Sequence, residues 1–195
     1  MRIGVDVDGV LADFNRSFIE RVCAVTKRDL FPVRPFDILT WDYPESYGYS
    51  NREVSAVWED IKRDPTFWSG LPSFAGTFEA LSMLRLREYN DGDEVYFITA
   101  RPGYRPKQQT ELWLRAHSGD PVWAPTVLIS SDKAGCAKAL RLDKYIDDKI
   151  DNVFDVCRIS EATQTYLMDH TWNRTYDSEK DCVIRVRSVQ EMFYR

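Results

Sequence analysis

Residues 2–14 read Arg-Ile-Gly-Val-Asp-Val-Asp-Gly-Val-Leu-Ala-Asp-Phe. The run from Arg2 to Val7 has the pattern of a short buried strand that ends in acids. Residues two apart on a strand share a face. Asp6 and Asp8 therefore converge where the chain leaves the sheet, and Gly9 permits a tight turn directly afterwards. Open α/β sheets bind ligands at that edge. Two carboxylates this close repel unless a cation or a proton lies between them. The same pair also suits helix caps or solvated loop acids, so it gains meaning only from the groups at the other strand ends.

Four more short apolar runs punctuate the chain: Glu94–Thr99, Thr126–Ser130, Lys144–Asp147 and Thr165–Met168. Helix-length segments separate them, at Phe74–Asn90, Pro106–His117, Asp132–Leu142 and a short piece after Asp151. Strands alternating with helices predict a parallel sheet with crossover helices, a three-layer Rossmann-like α/β core. Asp91-Gly92-Asp93 makes the turn into the second strand. The stretch 14–72 breaks the rhythm. It has two helix-like pieces, Asn15–Thr26 and Asn51–Arg63, around an aromatic loop, and no central strand. It reads as a small helical cap inserted after strand 1, with 1–13 and 73–195 forming the core. Ser50 or Asn51 caps its second helix.

Three further strand ends carry polar groups. Thr99-Ala100-Arg101-Pro102-Gly103 closes the second strand, where a hydroxyl and following N–H groups can hold a phosphate oxygen. Arg101 and Arg105 suit either phosphate contacts or solvated charges, and the solvated reading is slightly preferred for each. Ser131-Asp132-Lys133 opens a helix, where the macrodipole disfavours a cation unless an anion faces it. Asp147 and Asp148 end the fourth strand. Parallel strands place all these ends at one edge, so Asp6, Asp8, Thr99, Lys133, Asp147 and Asp148 meet in one site. The set is rich in carboxylate and short of histidine and thiolate. Mg²⁺ is the metal that suits it, and phosphoryl transfer is the chemistry.

Composition narrows the partners. A net charge of −5 on 195 residues, with 26 Lys and Arg against 31 Asp and Glu, argues against a nucleic-acid polymer. A chain this long buries roughly 70% of its unfolded surface and needs no disulfide to fold. The four cysteines lack C-x-x-C spacing, and we expect free thiols in a reducing compartment. The amino-terminal stretch has acids inside its apolar run, and no apolar run reaches the roughly 18 residues of a membrane span. The reading is a cytoplasmic protein with no membrane segment, and it leaves homodimerisation open. No G-x-x-x-x-G-K-[ST] loop occurs, which argues against a nucleotide kinase.

The ordered set DVDGVLADF, Thr99, Lys133 and Asp147-Asp148 resembles the haloacid dehalogenase superfamily of phosphatases. Trp41-Asp42-Tyr43, Glu45-Ser46-Tyr47-Gly48, Trp58-Glu59, Phe67-Trp68, LDKYIDDKIDNV and Trp172-Asn173-Arg174 are similar to the 5′(3′)-deoxyribonucleotidase family. The resemblance implies Asp6 as nucleophile and Asp8 as acid/base. It implies Mg²⁺ on Asp6, the Asp8 carbonyl and one of Asp147 and Asp148, with Asp148 favoured. It implies phosphate contacts from Thr99, Lys133 and backbone N–H groups near Gly9 and Ala100. One departure stands out: Ala100 occupies a place where that family carries a hydroxyl. Phe14, Trp41, Asp42, Tyr43 and Trp68 are the candidates to hold a nucleobase; Trp58 and Trp68 equally suit the cap's core. The implied function is Mg²⁺-dependent hydrolysis of (deoxy)nucleoside monophosphates. The alternatives are a phosphatase of another small ester, such as a sugar phosphate, and a silent nucleotide-binding module. The aromatic cap argues against the first, and the complete motif set against the second.

Overall fold

The computed structural model describes residues 1–28, 48–176 and 182–194. Six strands form one sheet: β1 (Arg2–Val5), β2 (Glu94–Thr99), β3 (Thr126–Ile129), β4 (Lys144–Asp147), β5 (Gln164–Met168) and β6 (Val183–Val186). Their order is β3-β2-β1-β4-β5-β6, and every pairing is parallel. β1 lies inside the sheet between β2 and β4, which is why its residues are almost continuously apolar. The expected α/β fold is present. β6 is an addition: its Val-Ile-Arg-Val is short, carries Arg185 mid-strand and sits at the sheet's edge, so no apolar run announced it.

Helices cover both faces. Six are described: α1 (Phe14–Thr26), α2 (Asn51–Arg63), α3 (Thr77–Asp91), α4 (Pro106–Ser118), α5 (Lys133–Leu140) and α6 (Ile150–Ile159). Leu81 and Leu84 of α3, with Trp113 and Leu114 of α4, join Ile3, Val5 and Phe97 on one side. Ala134 and Ala137 of α5 and Val156 of α6 pack with Ile98 and Tyr145 on the other. Each of these four helices, α3 to α6, thus buries one stripe against a sheet face, giving three layers.

Among the described residues, α1 and α2 lie along the chain between β1 and the rest of the core. Ser50 caps α2 in a full capping box. Its hydroxyl accepts from the Glu53 N–H at 3.3 Å, and the Glu53 carboxylate accepts from the Ser50 N–H at 2.8 Å. Phe14, Phe18, Val57, Ile61 and Trp68 share one apolar cluster with the sheet, so this insert has no isolated core. Its far end is stitched to the loop after β2. The Tyr104 N–H donates to Lys62 O at 2.9 Å, and Trp68 Nε1 donates to Pro102 O at 2.9 Å. Buried Gln109 of α4 accepts from the Trp68 N–H at 2.9 Å and donates to Tyr104 O at 2.6 Å.

The cysteines depart from expectation. Cys157 and Cys182 form a disulfide, with Cα atoms 6.4 Å apart, while Cys23 and Cys136 are free. α6 and the lead-in to β6 bring together two residues whose separation of 25 along the chain carried no signal.

At Gly103 the loop after β2 runs tight against the end of α2. The φ of this residue is +101°, and a Cβ there would lie 2.5 Å from Lys62 Cα and 2.6 Å from Lys62 O. Gly103→Ala should therefore cost roughly 1–3 kcal/mol of stability, from backbone strain and displacement of α2's end. Urea unfolding followed by circular dichroism measures this. An unchanged midpoint would show that the junction yields freely.

Candidate active site

The carboxyl ends of β1, β2 and β4, with the start of α5, bring six predicted residues together. Asp6, Asp8, Thr99, Lys133, Asp147 and Asp148 all line one cleft of about 280 Å³. Ala100, Phe14 and Trp68 line it too, as do Trp58, Lys149 and Asn152. Trp41, Asp42 and Tyr43 lie outside the described residues.

Lys133 is the hub. Its side chain is 4% exposed, and its ammonium donates to Asp6 Oδ1 at 2.7 Å, to Ile98 O at 2.5 Å and to Asp147 Oδ2 at 3.4 Å. An ammonium has three protons, and each finds an acceptor here. Burial alone would depress its pKa, but Asp6 and Asp147 overcome that and hold the charge firmly on.

The acids differ in how they are met. Asp147 is saturated: beside Lys133 it accepts from Asn152 Nδ2 at 3.0 Å, the Lys149 N–H at 2.8 Å and the Tyr145 hydroxyl. Asp148 accepts from Trp172 Nε1 at 3.0 Å. Burial pushes Asp148 well above the usual carboxylate range, and its neighbours Asp147 and Asp6 push it further. Burial likewise raises Asp6 to about 7, with Asp147 adding to the shift and Lys133 opposing it.

Asp6, Asp147 and Asp148 present carboxylate oxygens all within 4.8 Å of one another. Two of these buried acids hold protons unusually tightly, which marks a place short of positive charge. Hard oxygen donors of this kind fit a hard divalent cation. Gly9 makes the approach possible: its φ is +82°, and a Cβ there would sit 2.1 Å from Asp148 Oδ2.

Asp8 faces the other way round the cleft. Thr99 Oγ1 donates to its Oδ2 at 3.0 Å, and Arg101 grips both its oxygens, Nε to Oδ2 at 2.9 Å and Nη2 to Oδ1 at 2.8 Å. Arg101 is therefore not the solvated charge expected from sequence; its side chain has no exposed surface. A following proline and a local run of loop residues hid that, because only tertiary packing closes over it.

The sequence reading gives the further contributors no role at the site, although Trp172-Asn173-Arg174 is one of the stretches similar to the deoxyribonucleotidase family. The segment after β5 braces the site from behind. Asn173 Nδ2 donates to Asp148 O at 2.9 Å and Met168 O at 2.7 Å, and Arg185 of β6 donates to Asn173 Oδ1 at 2.7 Å. His170 stacks on Trp172 and donates from Nε2 to Gly9 O at 2.6 Å, since a carbonyl can only accept. On the insert side, Phe14 stacks with Trp58 and with Trp68, each at 5.8 Å between ring centres. Trp68 and Phe14 are buried, and Trp58 is the most exposed of the three.

Comparisons with known proteins agree with this architecture. Residues 1–194 match the family described as 5′ nucleotidase, deoxy (pyrimidine), cytosolic type C protein. A protein of Oceanobacillus iheyensis described as a candidate nucleotidase is 30% identical over 137 residues, 69% of this chain and 68% of its own. The haloacid dehalogenase-like hydrolase SP0104 of Streptococcus pneumoniae has the same fold, with a TM-score of 0.59 at 12% identity over 99% of this chain and 97% of that one. The hydrolase YfnB of Bacillus subtilis, solved bound to magnesium, gives 0.57 at 14% identity over 99% and 96%.

The raised acids make a pH prediction for the metal-free protein. Between its unfolded value of 3.8 and its folded value of about 7, Asp6 keeps a proton in the folded chain that the unfolded chain has lost. Its contribution to stability is thus full below pH ~4 and disappears as pH rises through ~7. In EDTA, wild type should lose on the order of 2–4 kcal/mol relative to Asp6→Asn between pH 4 and 8. Parallel pH profiles of the two proteins would contradict the shift.

Proposed function

The chain belongs to the cytosolic type C 5′ nucleotidase family, a group of phosphoric monoester hydrolases with the haloacid dehalogenase-like fold, and we propose that it hydrolyses (deoxy)nucleoside monophosphates through an aspartyl-phosphate on Asp6. The observation that carries this reading is the single cleft itself. Its lining brings the polar wall of Asp6, Asp8, Lys133 and the Asp147–Asp148 pair together with an aromatic wall, the stacked rings of Phe14, Trp58 and Trp68. Phosphate suits the first wall and a flat base the second.

In this reading Asp6 attacks phosphorus as the ester P–O bond breaks, and Asp8 gives its proton to the departing alkoxide. Asp8, now a carboxylate, then takes a proton from the water that attacks the phosphoenzyme. The Asp6–phosphorus bond breaks, and phosphate and a free Asp6 result. Lys133 holds Asp6 Oδ1 in place and keeps one positive charge beside the incoming phosphate. The backbone near Gly9 and Ala100 receives the remaining oxygens, and Thr99 joins them by turning its one hydroxyl proton from Asp8 to the phosphate. Asp6, the Asp8 carbonyl and Asp148 would hold Mg²⁺, and Asp148 suits that role better than Asp147, whose oxygens already accept from four donors. Bound there, Mg²⁺ supplies the charge that lets an anion approach an anion. Residues 14–72 act as a cap that excludes water and contacts the leaving group.

The first experiment is phosphate release from a panel of nucleoside monophosphates, with Mg²⁺ and with EDTA. The pyrimidine deoxynucleotides of the family's description lead the panel. Asp6→Asn should abolish turnover while leaving the fold intact; more than about a tenth of wild-type kcat, a barrier change under ~1.4 kcal/mol, would end the nucleophile assignment.

The aromatic wall gives a separate test. Trp58→Ala should lower kcat/KM for nucleotides roughly 5–150-fold, the range expected from losing about 1–3 kcal/mol of base stacking. Glycerol phosphate, which has no base, should be hydrolysed almost as before. Equal losses on both substrates would make Trp58 a packing residue of the cap.

A further inference from the structure

Arg101 lies two residues beyond the end of β2, and nothing in its local sequence sets it apart. Its surroundings do. A wholly buried guanidinium is costly unless its donors are met. Here each of its three nitrogens has an acceptor: Nε and Nη2 reach Asp8, and Nη1 donates to Thr110 Oγ1 at 3.0 Å, whose hydroxyl donates in turn to Pro106 O at 2.8 Å. The indole of Trp68 lies 5.2 Å from its Cζ. Arg101 is thus anchored on α4 and on the turn Trp68–Gly70, both of them fixed parts of the scaffold. What it presents toward the cleft is a two-point fork, and the fork holds Asp8.

We infer that Arg101 is a positioning residue that acts through Asp8 and sets the plane of its carboxylate at the reacting phosphate. This rests on the acid/base role proposed for Asp8. A carboxylate held at one point turns freely about its last side-chain bond. Two parallel N–H···O bonds fix both its place and its plane. Thr99 adds a third bond at 3.0 Å. An ion pair serving packing alone would lie closed inside the core. This one keeps 18% of the Asp8 side chain open, and Asp8 lines the cleft. Proton transfer needs the donor within about 2.6–3.2 Å of its target, so a carboxylate free to swing would miss that geometry much of the time. Lysine could supply the charge at 101 but only one contact.

The test is a double-mutant cycle of Arg101→Met and Asp8→Asn, with Arg101→Lys beside it and thermal unfolding measured for every protein. On nucleoside monophosphates, Arg101→Met should lower kcat by at least about 10-fold while KM changes less than about 3-fold, within the 10²–10⁴-fold that general acid–base catalysis contributes. In the Asp8→Asn background the same substitution should change turnover less than about 3-fold, because the group it orients is gone. Arg101→Lys should restore the unfolding temperature more than it restores kcat. With p-nitrophenyl phosphate, whose leaving group needs no proton, Arg101→Lys should release a burst near one nitrophenolate per enzyme and then turn over slowly. If Arg101→Met does not fold, the cycle is run with Arg101→Lys and read in the same way. Equal fold-losses in both backgrounds, a loss confined to KM, or full activity in Arg101→Lys would overturn the inference. Undiminished turnover in Asp8→Asn would instead overturn the acid/base reading beneath it, so the two failures are told apart.

Discussion

Three buried carboxylates with oxygens within 4.8 Å of one another have one buried ammonium among them, bonded to two of the three. That imbalance organises the molecule. Like charges in a dry site repel strongly, and a folded chain tolerates them only if their remaining lone pairs are met or a cation joins them. Lys133 meets Asp6 and Asp147, Asn152 and Tyr145 share the load on Asp147, and Trp172 supports Asp148. This gathering of hard oxygen donors around one buried cation is what makes a strand end a candidate phosphoryl-transfer centre.

The scaffold exists to keep those groups at one edge. β1 lies between β2 and β4, so the ends carrying Asp6, Thr99 and Asp147 are neighbours by register. Gly9 lets the first loop close over Asp148 without a side chain in the way. Behind it, β6 sends Arg185 to hold Asn173, and Asn173 holds the Asp148 carbonyl. An edge strand far from the chemistry thereby fixes a group at its centre. The disulfide between Cys157 and Cys182 joins α6 to the start of that same strand.

The insert is not a loose lid in this arrangement. Gly103, Tyr104 and Pro102, all in the loop after β2, touch or hydrogen-bond the end of α2 and Trp68. Trp68 in turn lies over Arg101, which grips Asp8. The wall proposed for the base and the group proposed for proton transfer are thus joined through one loop. A displacement of the insert would be felt at Asp8 through direct contacts.

Much of this was legible in the sequence. The period of the apolar runs determined a parallel α/β sheet, and the polar residues ending those runs determined the site, because strand ends of a parallel sheet necessarily share an edge. The capping box at Ser50 and the extent of α2 were equally local and equally readable. Other features had no local signature. Arg101 reads as an exposed loop arginine until α4 and Trp68 close around it. β6 is too short and too charged to declare itself, and Cys157 finds Cys182 only through folding. The sequence by itself determined which chemical groups meet, since strand periodicity and acid placement are short-range properties. Only the tertiary structure decided which of them are held, by what and in which plane, because burial and hydrogen-bond partnership arise between residues far apart in the chain.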